Sequence, residues 1–276
     1  MNLVLQGPAM TGAQARELAR LAGSATLEQI AEHAWRIRKA APADGIAPYC
    51  EQSRIDYAFM PEGRRFADLK LLAMDMDSTL ITIECIDELG DMAGCKSEIA
   101  AITAQAMRGE LDYPQSLRKR VALLAQLPES ALERVYEERL RLTPGTETLL
   151  AACKRQGVRV LLVSGGFSFF TERLKARLGI DYTISNRLEV SGARLTGGLL
   201  GDIVDAQAKA AKFAAVMQEL CAARHQTLAI GDGANDLKMM ALAGTSVAFH
   251  AKPVVRAQAD CAISWCGLDA VVRLFE

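Results

Sequence analysis

Two acidic residues at alternate positions, Asp75 and Asp77, follow a short apolar run at residues 71–74. In an extended chain alternate side chains lie on the same face, so both carboxylates could point to one place. Open α/β sheets bind their ligands at the carboxyl ends of strands. The pair therefore predicts a metal-assisted or acid/base site at the tip of a central strand. Taken alone, the motif is explained equally well by capping of a following helix through Asp77 or Ser78.

A second acidic cluster, residues 231–236 (GDGAND), follows another predicted strand. It superficially resembles a dinucleotide fingerprint, but Asp236 stands at the third glycine position and the acids would repel a pyrophosphate. Asp232, almost directly after the strand, better suits a hard cation with oxygen ligands such as Mg²⁺. Turn formation remains an alternative role for Asn235 and Asp236.

Ser164, Gly165 and Gly166 lie between a predicted strand and a predicted helix. Small residues at this point leave backbone N–H groups open to an anion, although a structural tight turn is favoured when the motif is taken alone. Lys209 by itself is best interpreted as a solvated surface lysine. The four motifs together supply a nucleophile, an acid/base, a phosphate cradle and a cation site. That inventory indicates metal-assisted phosphoryl transfer.

The elements around these motifs predict an α/β protein. From residue 144 onward strands and helices alternate, which indicates a doubly wound parallel-sheet (Rossmann-like) core with right-handed crossovers. Residues 83–143 form four predicted helices joined by short links, inserted directly after the Asp77 motif. We expect this helical bundle to cover the strand end as a cap. The predicted catalytic core therefore comprises residues 67–82 and 144–276.

Residues 1–66 predict a separate, small N-terminal α+β region. Strands are expected at residues 2–5 and 55–60, with a helix at residues 14–21 between them. Thr26 and Gln29 are typical of a capping box, and apolar residues at positions 27–35 recur at helical spacing, which predicts a second helix. No chemistry is recognisable here, so packing or oligomerisation is favoured over ligand sensing.

The composition argues against several classes of protein. A net charge of −1 and a pI near 6.4 give no basic surface for nucleic acid or for an anionic membrane. The seven cysteines contain no C-x-x-C pair, which indicates neither a disulfide framework nor a zinc site. The N-terminus lacks the features of a signal peptide, and no stretch approaches the roughly 18 apolar residues of a membrane span. We therefore expect a cytoplasmic protein without nucleic-acid or membrane partners.

From about residue 66 onward the chain resembles the haloacid-dehalogenase-like phosphatases. The resemblance lies in four ordered motifs: residues 75–79 (DMDST), residues 164–166 (SGG), Lys209 and residues 231–236 (GDGAND). Within that superfamily, further segments are similar to the phosphoserine phosphatase family: residues 84–88 (ECIDE), 107–110 (MRGE), 116–121 (SLRKRV) and 163–167 (VSGGF).

This resemblance implies Mg²⁺-dependent hydrolysis of O-phospho-L-serine, the last step of serine biosynthesis, through an aspartyl-phosphate. Asp75 would be the nucleophile and Asp77 the general acid/base. Mg²⁺ would be bound by the side chains of Asp75 and Asp232 and by the backbone carbonyl of Asp77. The phosphate-binding residues implied are Ser164, Gly165, Gly166, Lys209 and Asn235, with Asp236 supporting Lys209 or the metal.

The cap is implied to select the substrate. Glu84 would bind the ammonium group of phosphoserine, and Arg120 would pair with its carboxylate. Tyr113, where the family often has phenylalanine, would exclude water together with Met107. A related phosphotransferase, or a phosphatase for another small phosphomonoester, is the alternative function. A homodimer is a candidate assembly.

Overall fold

A computed structural model describes all 276 residues. The strands are β1 (Asn2–Gln6), β2 (Leu27–Ala31), β3 (Ala34–Ile37), β4 (Asp56–Met60), β5 (Leu71–Asp75), β6 (Arg159–Phe167), β7 (Tyr182–Ser191), β8 (Arg194–Leu200), β9 (Thr227–Gly231), β10 (Thr245–Phe249) and β11 (Cys261–Ile263). The helices are α1 (Gly12–Leu21), α2 (Ile46–Ser53), α3 (Cys85–Met92), α4 (Lys96–Met107), α5 (Tyr113–Ala122), α6 (Ser130–Arg134), α7 (Thr146–Gln156), α8 (Ser168–Leu178), α9 (Ala206–Glu219), α10 (Leu237–Leu242), α11 (Pro253–Arg256) and α12 (Ala270–Arg273). No helix is both long and apolar enough to cross a membrane.

The central sheet has seven strands in the order β11-β10-β9-β5-β6-β7-β8, with β5 in the middle. Every neighbouring pair is parallel except β7 and β8, so the predicted doubly wound parallel core is confirmed. All five residues of β5 are buried, as expected of a strand covered on both faces. Leu72 and Met74 pack into one hydrophobic cluster, and Leu71 and Ala73 pack into another.

The helices α3 to α6 lie between β5 and β6 in the chain, which confirms the predicted helical insertion. The chain enters and leaves this insertion through two paired segments, residues 80–83 and 140–144, called here the cap hinge. Ile81 and Leu142 form an antiparallel bridge, and Thr143 N–H donates to the Leu80 carbonyl at 3.0 Å. The division of the chain into three domains at residues 66, 83 and 143 stays a prediction.

The N-terminal region forms an antiparallel sheet in the order β2-β3-β1-β4. The helix predicted after Thr26 is wrong, because these residues form the hairpin β2–β3, in which His33 adopts a positive φ of 56° at the turn. The physical reason is that successive side chains of β3 point to opposite faces of the sheet. Trp35 and Ile37 face the cluster under α1 and α2, whereas Arg36 faces the catalytic core. Over so short an apolar run the two periodicities are hard to separate.

Candidate active site

A buried triad of charges lies at the carboxyl end of β5. The Oδ1 atom of Asp75 is 2.9 Å from Nζ of Lys209 and accepts the N–H of Met76 at 2.8 Å. The same Nζ donates to Oδ1 of Asp236 at 2.8 Å. Lys209 and Asp236 are fully buried. The interpretation of Lys209 as a solvated surface lysine is therefore wrong.

Local sequence explains why Lys209 points into the site. Asp205 caps α9 by accepting the N–H groups of Gln207 and Ala208, both at 2.9 Å. The helix therefore begins at Ala206, and Lys209 lies in its first turn on the buried face with Ala210 and Phe213. Burial alone would lower the pKa of Lys209, but the charges of Asp236 and Asp75 outweigh it and raise that pKa. The ammonium is therefore retained inside the protein.

Three carboxylates, those of Asp75, Asp232 and Asp236, offer oxygen atoms within 4.8 Å of one another. Both oxygens of Asp236 are engaged, since Oδ1 accepts from Lys209 and Oδ2 accepts the N–H of Gly233 at 3.2 Å. Neither Oδ2 of Asp75 nor the Asp232 carboxylate accepts a hydrogen bond. Asp75 and Asp232 are therefore the two side chains free to bind a cation.

The electrostatics of this cluster fit a cation with oxygen ligands. Burial, followed by the charge of Asp236, raises the pKa of Asp75 well above its ordinary value, against the opposing effect of Lys209. Burial and Asp236 also raise the pKa of Asp232 to about 6. One ammonium thus leaves the three carboxylates with excess negative charge. A hard divalent cation bound to carboxylate oxygens would neutralise that excess.

Asp77 lies in the turn Met76–Leu80, which directs its side chain back over the strand end. Its Oδ1 atom accepts the N–H of Cys85 at the start of α3, at 3.0 Å. A Cβ atom on Gly166 would lie 2.6 Å from Oδ2 of Asp77, so only glycine permits this close approach. Burial and the charge of Glu84 raise the pKa of Asp77 to about 7. Asp77 can therefore both release and accept a proton near neutral pH.

Residues 164–166 continue β6 past the level of Asp75, which pairs with Val163 across the sheet. Ser164 is fully buried, and its Oγ accepts the N–H of Gly166 at 2.8 Å. The hydroxyl proton of Ser164 therefore remains available to an anion at this strand end. The sequence predicted that backbone N–H groups here would be open to a phosphate. This is wrong for Gly166, because its N–H donates to Ser164.

Asn186 supports this segment and was missed by the sequence analysis. Its Nδ2 donates to the carbonyl of Gly165 at 2.8 Å, and its Oδ1 accepts the N–H of Val204 at 2.8 Å. A buried asparagine within β7 belongs to none of the four motifs, and only its hydrogen bond to the carbonyl of Gly165 reveals the role. No local pattern in the sequence could have found it.

One cap residue reaches across to the core. The hydroxyl of Tyr113, at the start of α5, donates to the carbonyl of Gly165 at 3.2 Å. The capping box of Asp112 and Gln115 fixes the start of that helix. Burial raises the pKa of Tyr113 to about 12, so the phenol keeps its proton. Tyr113 therefore bridges cap and core directly beside the predicted phosphate cradle.

The other three predicted cap residues differ in their distance from the site and in their contacts. Arg120 makes no ion pair, and its buried Nε has no hydrogen-bond partner. Glu84 accepts the hydroxyl of Ser78 at 2.6 Å, and its charge raises the pKa of both Asp77 and Asp232. Met107 is 69% exposed at the end of α4, so the structure does not bring it into the site. Glu84 is thus close to the acidic cluster, and Arg120 offers an unused donor.

Asn235 lies half-buried in the turn between β9 and α10. A Cβ atom on Gly233 would collide with its Oδ1 atom, so the amide lies directly against that glycine. The Asn235 side chain makes no hydrogen bond within the chain. It is therefore a donor at the edge of the site.

The site and fold define the class of protein, and a family comparison agrees with them. The haloacid dehalogenase-like hydrolase family matches residues 72–241, more than half of the chain, and the chain belongs to that family. A domain of unknown function matches residues 3–46.

Similar individual proteins cover most or all of the chain. The phosphoserine phosphatase of Polaromonas sp. (strain JS666) is 53% identical over 217 residues, which cover 77% of this chain and 92% of the relative. The crystal structure of a probable phosphoserine phosphatase from Vibrio cholerae, in its unliganded form, is 37% identical with a TM-score of 0.87, covering 99% of this chain and 86% of that one. A haloacid dehalogenase family hydrolase from Salmonella enterica serovar Typhi is 31% identical with a TM-score of 0.90, covering 100% of this chain and 99% of that one.

Proposed function

We propose that this protein hydrolyses O-phospho-L-serine to L-serine and inorganic phosphate with Mg²⁺ as cofactor. The observation that carries the proposal is the cap composition over the acidic site. A carboxylate, Glu84, and a half-buried arginine, Arg120, whose buried Nε has no hydrogen-bond partner, accompany the pair Asp75 and Asp77. Opposite charges of this kind match the ammonium and carboxylate of an amino-acid phosphate. The phosphoserine phosphatase of Polaromonas, 53% identical, supports the same assignment.

In the first step Asp75 attacks phosphorus, a P–O bond to its carboxylate forms, and the ester P–O bond breaks. Asp77, whose pKa of about 7 leaves a protonated fraction at neutral pH, gives its proton to the departing serine oxygen. Lys209 and the hydroxyl of Ser164 hold the phosphoryl oxygens, where negative charge is greatest. L-serine leaves and Asp75 carries the phosphoryl group.

In the second step Asp77, now ionised, takes a proton from a water molecule, which attacks the phosphorus. The bond to Asp75 breaks and inorganic phosphate is released. Mg²⁺, held by the side chains of Asp75 and Asp232 and by the carbonyl of Asp77, would neutralise charge between the phosphate and the nucleophile when bound. Asp236 keeps Lys209 charged and in place, and Asn235 contributes a donor to the phosphate.

The cap supplies specificity in this proposal. Glu84 binds the ammonium and Arg120 the carboxylate of phosphoserine, while Tyr113 shields the reacting group from water. Met107 is exposed here, so its shielding role would need the cap to close further and stays a prediction. The homodimer and the cytoplasmic location expected from the sequence also stay predictions.

The proposal is tested by phosphate release from a panel of small phosphomonoesters, each with and without Mg²⁺. We expect L-phosphoserine to be the preferred substrate and chelation of the metal to stop its turnover. Preference for an ester without an amino-acid group would contradict the substrate assignment. Serine and phosphate are measured separately with an added acceptor alcohol, because a deficit of phosphate relative to serine would reveal a phosphotransferase.

Replacement of Arg120 by alanine is expected to lower kcat/KM for L-phosphoserine by about 100-fold, because a paired carboxylate would lose its bidentate partner. For p-nitrophenyl phosphate, which has no carboxylate, kcat/KM should change by no more than about three-fold. Arg118→Ala, at an exposed position of the same helix, is the matched control. Equal losses on both substrates would contradict the role of Arg120 in recognising the carboxylate.

A further inference from the structure

The N-terminal sheet (β1–β4) presents buried polar side chains to the catalytic core. In β1, Leu3 and Leu5 face the cluster under α1 and α2, whereas Gln6 points to the core and donates to the carbonyl of Ala270 at 3.1 Å. In β3, Arg36 donates to the carbonyls of Arg273 and Phe275 at 3.0 and 2.6 Å. Buried polar groups are costly without partners. This sheet face is therefore matched specifically to the C-terminal segment of the chain.

Asp56, the first residue of β4, makes the densest of these contacts. Its carboxylate is only 4% exposed and accepts three consecutive backbone N–H groups, from Ser264 at 2.6 Å, Trp265 at 3.1 Å and Cys266 at 2.9 Å. Successive amides converging on one carboxylate form a strong anion nest. Asp56 therefore fixes the backbone of residues 264–266, the first half of the loop at residues 264–269, called here the hinge-support loop.

The other end of the hinge-support loop touches the cap hinge. Leu268 N–H donates to the carbonyl of Pro144 at 2.8 Å. A Cβ atom on Gly267 would lie 2.5 Å from that same carbonyl oxygen, so the loop packs tightly against the hinge here. Pro144 directly follows Thr143, whose N–H bonds to Leu80 in the opposite hinge segment. Hydrogen bonds joined by short stretches of backbone thus connect the N-terminal sheet to both segments of the hinge.

The hinge-support loop also contacts the segment that packs beside Asp232, a predicted metal ligand. The carbonyl of Cys266 is 2.9 Å from Nε2 of His250, which directly follows β10. Two residues further on, Lys252 N–H donates to the backbone carbonyl of Asp232 at 3.2 Å. The hinge-support loop is therefore packed between the N-terminal sheet, the cap hinge and the segment that supports Asp232.

We propose that Asp56 is a positioning residue for the cap: it holds the hinge-support loop against Pro144 and thereby sets where Glu84 and Arg120 meet the substrate. This inference rests on the proposed function. It makes residues 1–66 part of the catalytic architecture, acting through the hinge. A misplacement of about 1 Å of groups that bind a substrate can cost up to about 100-fold in rate.

The test compares three variants. Asp56→Asn removes the charge that gathers the three amides, and Gly267→Ala disturbs the contact of the same loop with Pro144 without changing the N-terminal sheet. Arg36→Lys is the matched control, because it weakens the same interface away from the hinge and keeps the buried charge. We expect the first two variants to raise KM for L-phosphoserine by about five-fold or more, with KM for p-nitrophenyl phosphate within about two-fold of wild type. Arg36→Lys should leave both KM values unchanged.

A second measurement, amide hydrogen exchange at residues 80–83 and 140–143, needs no substrate. Exchange there should be faster in Asp56→Asn and Gly267→Ala and unchanged in Arg36→Lys. An equal rise of KM and exchange in Arg36→Lys, or no change in the first two variants, would overturn the proposal. If Asp56→Asn does not fold, Gly267→Ala decides. Wild-type protein inactive on phosphoserine would overturn the proposed function, while hinge exchange would still decide the role of Asp56.

Discussion

Replacement of Asp75 by asparagine is expected to lower phosphate release from L-phosphoserine by roughly 10⁴-fold or more, because the amide cannot form the covalent intermediate. The neighbouring carboxylates have other partners or another proposed role, since Asp232 is assigned to the cation. Asp77 is held by the N–H of Cys85, and both oxygens of Asp236 are occupied by Lys209 and Gly233. Turnover within about ten-fold of wild type would contradict the assignment of Asp75.

The Asp75→Asn variant should remain folded, which separates a chemical defect from a structural one. Burial and Asp236 disfavour the ionised carboxylate of Asp75, and asparagine removes that charge with little change of shape. Lys209 keeps Asp236 at 2.8 Å as its partner. We therefore expect a Tm in metal-free buffer no lower than that of wild type. The control Asp68→Asn removes an exposed carboxylate paired with Arg65 and should keep full activity.

Covalent trapping tests the same assignment directly. Phosphoserine with a radioactive phosphorus atom is mixed briefly with the protein and quenched in acid. The label should remain on wild type and be absent from Asp75→Asn. Label retained by the variant would place the nucleophile elsewhere.

Replacement of Asp77 by asparagine is expected to lower kcat for L-phosphoserine by about 10²- to 10⁴-fold, the usual range for loss of a general acid/base. The serine alkoxide is a poor leaving group and needs a proton from Asp77. The p-nitrophenolate ion leaves readily without one. With p-nitrophenyl phosphate, phosphorylation of Asp75 should therefore remain fast in this variant, whereas hydrolysis of the aspartyl-phosphate should be slow.

With p-nitrophenyl phosphate we expect Asp77→Asn to release about one p-nitrophenolate per protein in a burst, followed by slow turnover. The burst reports attack by Asp75, which does not need Asp77 for this leaving group, and the slow phase reports water attack without a general base. An equal loss of the burst amplitude and of the steady-state rate in Asp77→Asn would contradict the acid/base role of Asp77.

In wild type the phosphorylation step on phosphoserine should slow as the pH rises above about 7, because Asp77 then loses the proton it must donate.

The grouping of the acidic residues could be predicted from the sequence because each motif is local. Asp75 and Asp77 are two residues apart at a strand end, and Asp232 follows β9 in the same way. Parallel strands bring their carboxyl ends to one edge of the sheet, so the alternation of strands and helices was enough to place these acids together. The spacing of the apolar residues failed to distinguish helix from strand only where the elements are short. At Trp35 the hairpin was predicted as a helix, because a few apolar positions fit either period.

Other features depend on contacts between segments far apart in the chain. Lys209 carries no local signal that distinguishes it from a surface lysine, and only the packing of α9 against α10 and β6 places its ammonium between two buried carboxylates. Asn186 and Asp56 likewise acquire their roles from backbone groups distant in the sequence, at Gly165 and at residues 264–266. The sequence by itself determined that Asp75 and Asp77 lie together at one strand end, since their spacing is set within that strand end. The tertiary structure alone decided which buried charges and amides surround those groups, because burial and pairing are properties of the packed chain.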